Sequence, residues 1–218
     1  MAQVKKPEVR DAIVSSAYEL FRDKSYLRTS VAEIARKAGI VPSHIYVYFA
    51  SKLAIFYAVY EPWLNKRLTR LERQLSKIED PDQRLIRIIE AFWIRLPTED
   101  NGFANNLMQA VSTADPDEPY RSDLLSRSEK TLSQLLRRAL PDNRMSDADC
   151  DRVAHILLMA FDGFIVRHHV GGTRQDMADI VVTMTRLMTG KPASAAARLN
   201  GPRRRAGRAR KAQLTQTH

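Results

Sequence analysis

Residues 29–52 read TSVAEIARKAGIVPSHIYVYFASK. Val31, Ile34, Ala35 and Ala38 recur at the spacing of one helical face, and Thr29 and Ser30 supply capping oxygens ahead of them. Gly39 stops this helix, because the turn needs a residue at ease at positive φ. Pro42 then opens a second helix, where its missing N–H removes a donor that had no partner anyway. Ile45 and Phe49, with Ile40 just before them, give that second helix a narrow apolar stripe, so only one of its sides is buried. The other side carries Ser43, His44, Tyr46, Val47 and Tyr48, which are small, hydrogen-bonding or aromatic, with no long charge among them. This is a helix-turn-helix pattern, the arrangement that sets the N-terminal half of its second helix in the DNA major groove.

Two such short helices cannot hold their own crossing angle, so a bracing helix is a physical requirement. Pro7 to about Lys24 supplies it, with Val9, Ile13, Ala17, Leu20 and Phe21 along one side. After Ser51 a long helix carries Leu53, Phe56, Tyr60, Leu64, Leu68, Leu71 and Leu75 in one apolar row. Pro62 inside it predicts a kink or break near Ala58 to Glu61. Asp80-Pro81 opens the next helix, which ends at Pro97, and Thr98 to Gly102 reads as a loop. Further helices are expected from about Phe103 to Ala114, Tyr120 to Leu140 and Asp149 to His169, with a last one containing Val181, Val182, Met184, Leu187 and Met188. No strand pattern competes, so the expected class is all-α.

The stretch Thr29 to Lys52 resembles the TetR family of bacterial transcriptional regulators. The family's apolar helix ending in Ala-Gly is met by Ala38-Gly39, and its recognition helix with a Tyr and a closing aromatic-x-Ser-Lys is met by Tyr46, Phe49 and Ser51-Lys52. Departures also stand out: Ser25 sits where the family usually has Gly, Pro42 and His44 replace commoner residues, and Leu53-Ala54 stand where acids are frequent. The resemblance implies a three-helix DNA-binding domain over residues 1–51 and a larger helical ligand-binding and dimerisation domain over 52–190. It implies DNA contacts from Thr29, Ser30, Pro42, Ser43, His44, Tyr46, Val47, Tyr48 and Lys52, with Tyr46 and Lys52 on phosphates. The expected partner is double-stranded DNA with a near-palindromic operator, and the expected action is that of a repressor released by a small-molecule effector.

The formal charge of +10 is spread unevenly. Residues 191–218 hold +8 with no acid, residues 1–52 hold +4, and the middle is left at −2. Basic ends around a near-neutral middle fit a module that meets phosphate joined to one that meets something else. The tail, rich in Pro, Ala, Gly and Arg, reads as disordered. A chain dominated by that tail would be a non-specific, architectural nucleic-acid binder, which is the alternative reading. One cysteine, Cys150, excludes an intrachain disulfide and fits a reducing cytosol, so a cytoplasmic, nucleoid-associated protein without a membrane span is expected.

Enzyme chemistry finds no constellation. There is no His-Glu-x-x-His and no Gly-x-Ser-x-Gly, and Gly190-Lys191-Pro192 lacks the rest of a phosphate loop. Neighbouring His168 and His169 point apart on a helix and do not readily share an ion, so neither metal nor cofactor is expected. Trp63, Phe92, Trp93, Phe103, Met108 and Phe161 are bulky enough to wall an effector pocket, with Arg95, Asn105, Gln109 and His155 as polar contacts. The run Ile156 to Phe161 is apolar all round and therefore needs cover on two sides. A homodimer through the last two helices, with Leu158, Phe161, Ile165, Val181, Met184 and Met188 at the interface, provides it.

Overall fold

The computed structural model of the chain describes residues 6–115, 123–140, 145–171 and 176–190. The expected helix start at Tyr120 and the basic tail lie outside these residues. Among the described residues the chain is helical, with no strand. Three helices come first: α1 (Pro7–Lys24), α2 (Val31–Lys37) and α3 (Pro42–Tyr48). Pro7 occupies the first turn of α1, and Ile13, Ala17 and Phe21 face inward. Ser30 and Glu33 close a capping box on α2, with the Glu33 N–H donating to Ser30 Oγ at 3.2 Å and the Ser30 N–H to Glu33 Oε2 at 2.8 Å. Gly39 takes φ 73° at the turn, and Pro42 sits in the first turn of α3. Ile34 and Ala35 of α2, Ile45 of α3 and Phe49 just after it bury against α1 in one small core.

Ser25 ends α1 at φ 87°, ψ 164°, a backbone region essentially reserved for glycine. Its strain is offset by local bonds: the Ser25 N–H donates to the Phe21 carbonyl at 3.0 Å, and the Thr29 hydroxyl donates to the Ser25 carbonyl at 2.8 Å.

Ser51 caps α4 (Lys52–Leu75), accepting from the Ala54 N–H at 3.1 Å. The row Leu53, Phe56, Tyr60, Leu64, Leu68, Leu71 and Leu75 is buried along its whole length. Pro62 lies inside α4 and is exposed, and the helix runs through it without a break. α5 (Pro81–Glu90) passes through a π-helical turn at Ala91–Arg95 into the single turn α6 (Leu96–Thr98). Pro97 offers no N–H to the carbonyl four residues back, and the wide turn instead sends the Leu96 N–H to the Ala91 carbonyl. Phe92, Trp93 and Leu96 all end up inside as a result. The expected loop after Pro97 is a 3₁₀ turn, Glu99–Asn101, with Asp100 and Asn101 at positive φ.

α7 (Asn105–Thr113), α8 (Asp123–Ala139), α9 (Asp147–Gly171) and α10 (Met177–Thr189) complete the chain, within a few residues of their expected bounds. α8 packs along α9, and α10 packs on α5. Both faces of α9 are apolar, and the structure decides which one is inside. Ala154, Leu157, Phe161 and Ile165 are buried within the protomer, whereas Ile156, Met159, Val166 and Val170 are exposed. Phe161, Ile165 and Val181, expected at a subunit interface, are therefore corrected to core residues of one protomer. Leu158, Met184 and Met188 are half-buried.

Candidate nucleic-acid interface

α3 stands on Ile45 and Phe49 and turns its remaining surface outward. Pro42 and Ser43 are exposed, Tyr46 is 59% exposed, and His44, Val47 and Tyr48 are half-buried on the same outward side. The His44 and Tyr48 rings meet edge to face at 5.7 Å. The Tyr48 hydroxyl accepts the Lys6 N–H at 3.2 Å, which ties the start of α1 to the end of α3. Arg28 on the turn and Arg36 on α2 are exposed cations of the same three-helix unit, with no side-chain partner among the described residues. Sequence reasoning passed them over, although unpaired arginines beside a recognition helix are an ordinary signal for phosphate.

Two of the expected contact residues are placed differently. Thr29 is buried, and its hydroxyl serves the Leu20 and Ser25 carbonyls, so it is corrected from a DNA contact to a brace of the α1–α2 turn. Ser30 stays exposed at the cap. Lys52 is half-buried, with its ammonium 4.1 Å over the Tyr26 ring, and burial lowers its pKa below the ordinary lysine value.

The α1–α2 turn is also gripped from the other half of the chain. Asn106 on α7 is 4% exposed. Its Oδ1 accepts the Tyr26 N–H at 2.5 Å and its Nδ2 donates to the Phe21 carbonyl at 3.0 Å. Gln109, one turn on, accepts the Leu27 N–H at 3.1 Å, so it is corrected from a pocket residue to a second grip on this turn. Asp100 makes the third link: it accepts from the Tyr18 hydroxyl on α1 at 3.0 Å, from Trp63 Nε1 at 2.5 Å and from Arg67, both on α4. Arg67 is further paired with Glu99 at 2.7 Å. Sequence reasoning did not single out Ser25, Asp100 or Asn106 for such a role. Asn106 had a weak signal, being an amide inside the apolar row of Leu107 and Ala110.

The expected pocket residues divide into groups. Trp63 and Phe103 join Tyr60 and Phe56 in one aromatic cluster, with ring centroids 5.1 Å apart for Trp63 and Phe103 and 5.3 Å for Phe56 and Tyr60. Phe92 meets Phe161 at 6.1 Å, and Trp93 donates to the Leu157 carbonyl at 3.2 Å, which makes these three core packing between the π turn and α9. Met108 is half-buried against the core. His155 is exposed on α9, 3.2 Å from Glu129, and is corrected out of the pocket. A cleft of about 290 Å³ lies instead between α4 and α8, lined by Glu61, Leu64, Asn65, Leu68, Arg127 and Thr131. Among the described residues no group of three His, Cys, Asp or Glu could hold a metal, and no helix is long and apolar enough to cross a membrane.

Residues 13–59, from α1 into α4, match the family of bacterial regulatory proteins named tetR. Over that segment the chain is similar to the TetR family. Among curated relatives, its sequence is similar to the HTH-type transcriptional activator FasR of Mycolicibacterium smegmatis, at 29% identity over 98 residues. That match spans 45% of the chain and 45% of the relative, so less than half of the relative's length is covered. In fold, this chain resembles the regulator FadR of Bacillus subtilis solved with stearoyl-CoA, with a TM-score of 0.62 at 16% identity over 82% of this chain and 97% of that one. It also resembles a transcriptional regulator of Saccharomonospora viridis solved with choline, with a TM-score of 0.55 at 21% identity over 85% of this chain and 95% of that one.

Proposed function

We propose that the chain is a sequence-specific DNA-binding transcriptional regulator, a homodimer whose grip on a near-palindromic operator is released by a small-molecule ligand. The observation that carries this reading is the outward face of α3, held rigidly by a buried stripe and fastened through Asn106, Gln109 and Asp100 to the rest of the chain. In this reading residues 1–51 form the DNA-binding domain, and Ser43, His44 and Val47 lie nearest the bases. Tyr46, Tyr48, Ser30, Pro42 and Lys52 flank them toward the phosphates, joined by Arg28 and Arg36. Residues 52–190 form the effector and dimerisation domain. Its outward stripe of Ile156, Met159, Val166 and Val170 on α9 is a surface for a second copy. A twofold dimer of this kind sets two α3 helices on one DNA face about 34 Å apart.

Relatives solved with stearoyl-CoA and with choline support a ligand-responsive interior here. Coupling is thermodynamic: the ligand releases DNA only by binding the DNA-incompetent shape better. The test is fluorescence anisotropy with the chain's own upstream duplex and a scrambled duplex, for the full chain and for a version ending at Gly190. A preference of roughly a thousandfold that survives truncation supports the reading. Equal binding to both duplexes, lost on truncation, would transfer the affinity to the tail and refute it.

A further inference from the structure

Between α4 and the π turn at Ala91–Arg95 lies a second cavity, of about 60 Å³. One water takes about 10–15 Å³ of such space, so a small charged group and a few carbons have room there. Part of its lining is apolar and buried: Leu68 and Leu71 of α4, with Ala91 and Leu96 opposite. The rest is mostly cationic. Arg67 and Arg70 come from α4 and Arg95 from the π turn, against one carboxylate, Glu99.

The three guanidiniums differ in what already holds them. The Arg67 side chain is 17% exposed and pairs with Glu99 at 2.7 Å and with Asp100. Arg95 donates to Glu90 at 3.0 and 3.1 Å, yet the same carboxylate also takes Arg87 at 2.7 Å, so one negative charge serves two cations. Arg70 is exposed and has no side-chain partner among the described residues. Lys66 and Arg73, one turn before and after it on α4, are exposed and without a side-chain partner there too. Like charges at that spacing repel each other, so the free guanidinium at the cavity sits in an uncompensated positive field. A cation would be repelled there, and a neutral guest would leave Arg70 unpaired. Inorganic phosphate suits arginine but not the apolar lining. A carboxylate on a short apolar body suits both, since its two oxygens accept parallel N–H bonds from one guanidinium while the body covers Leu68 and Leu96.

We propose that this cavity binds a small organic carboxylate, held by Arg70 and Arg95, and that this acid is the effector. This rests on the ligand-responsive reading above and names the chemical class of that ligand. Arg67 supplies the route outward. A carboxylate within its reach competes with Asp100, and Asp100 accepts the Tyr18 hydroxyl of α1 at 3.0 Å. Asp100 and Asn101 stand at φ 50° and 59°, so loosening the Arg67 pair frees a strained turn that links α1 to the interior.

The test uses the full chain and calorimetric titration with butanoate and benzoate, with 1-butanol and benzyl alcohol as uncharged counterparts, butylamine as the cation and inorganic phosphate as an anion without an apolar body. Saturable binding of a carboxylate and of none of the others, weakened roughly tenfold or more by Arg70→Gln, is the expected result. Arg70→Gln melts within about 1 °C of the parent, because Arg70 has no partner to lose; a clear fall would show a structural contact and overturn the proposal. Lys77→Gln makes the same charge change beyond the end of α4 and leaves the affinity within about twofold. Equal carboxylate affinity in Arg70→Gln, an equal loss in Lys77→Gln, tighter binding of phosphate, or no carboxylate binding at millimolar concentration overturns the site. Operator anisotropy run alongside shows weaker DNA binding with the carboxylate bound, and less weakening in Tyr18→Phe; unchanged operator affinity overturns the effector role. If operator preference persists while no carboxylate binds, only this ligand class falls; if the parent chain shows no operator preference, the regulator reading itself falls.

Discussion

Replacing Asn106 by Ala removes the one side chain that satisfies both backbone groups of the α1–α2 turn from across the chain. The Tyr26 N–H and the Phe21 carbonyl are both buried bonds to Asn106, at 2.5 and 3.0 Å, and an alanine methyl reaches neither. The Phe21 carbonyl keeps the Ser25 N–H at 3.0 Å, so the Tyr26 N–H is the group that loses its acceptor, and a buried group so left costs about 1–3 kcal/mol. In a folded chain of this size that corresponds to a fall in Tm of roughly 2–12 °C. Thermal melting by circular dichroism measures it, and anisotropy with the operator shows whether the loosened turn also weakens DNA binding. Asn106→Asp sharpens the test: it keeps an acceptor for Tyr26 but aims a second oxygen at the Phe21 carbonyl. That variant is destabilised at neutral pH and regains stability on acidification, once its carboxyl is protonated and donates. Should Asn106→Ala melt within about 1 °C of the parent, water or a shifted backbone satisfies those groups and the clamp argument fails.

Four other outcomes are expected. Ser25→Gly relieves a backbone conformation at φ 87°, ψ 164° and stabilises by about 1 kcal/mol, read as a rise in Tm; a fall would show that the Ser25 side chain contributes more than its strain costs. Met159→Glu puts charge on the outward α9 face, where Met159 is 54% exposed, and yields a folded monomer with weaker operator binding; light scattering that still shows a dimer counts against that face. Tyr46→Phe weakens binding to all duplexes alike, whereas His44→Ala changes which duplex is preferred; parallel losses for both on every duplex remove His44 from base reading. Glu33 is held down to about 2 by Lys24, then by the Ser30 N–H and hydroxyl. Because the folded pKa is depressed, its contribution is complete above the unfolded value of 4.5 and is lost as pH falls toward 2. Amide signals of α2 followed through that window lose protection in the parent and not in Glu33→Gln; identical titrations would rule out the capping box as their source.

The first four helices were legible because their signals are local. Pro7, Gly39, Pro42 and Ser51 each act through their own backbone geometry, and the structure starts or stops helices at all four. The outward residues of α3 followed from a stripe only two residues wide. Signals that depend on what lies opposite were not readable. A period of 3.6 finds the faces of α9 but does not say which is inward when Leu157, Phe161 and Ile165 on one side are as apolar as Ile156, Met159 and Val166 on the other. Trp93 and Phe161 read equally well as pocket or core, and only their partners across the chain decide. Thr29 offered a hydroxyl suited to phosphate, yet the positive φ at Ser25 draws it inward to the Ser25 carbonyl.

The ring of Phe56 shows why the recognition helix and the interior are not independent. It lies 5.7 Å from Phe21 and 5.5 Å from Tyr26, which belong to the α1 end, and 5.3 Å from Tyr60 and 6.2 Å from Phe103, which belong to the interior. Close-packed rings respond to a displaced neighbour by moving together, since no free volume absorbs the shift. Tyr60 is therefore one ring away from Phe21 and Tyr26, whose backbone groups Asn106 holds, and from Tyr26 the path reaches Lys52 at the start of α4. Three polar links and one shared ring connect the two halves, so on the proposed ligand-responsive reading a shape change in the interior would cost bonds at the turn that sets α2 and α3. The same linkage would run backward: operator DNA that fixed α3 would also fix that turn, and would weaken a ligand by the factor with which the ligand weakened DNA.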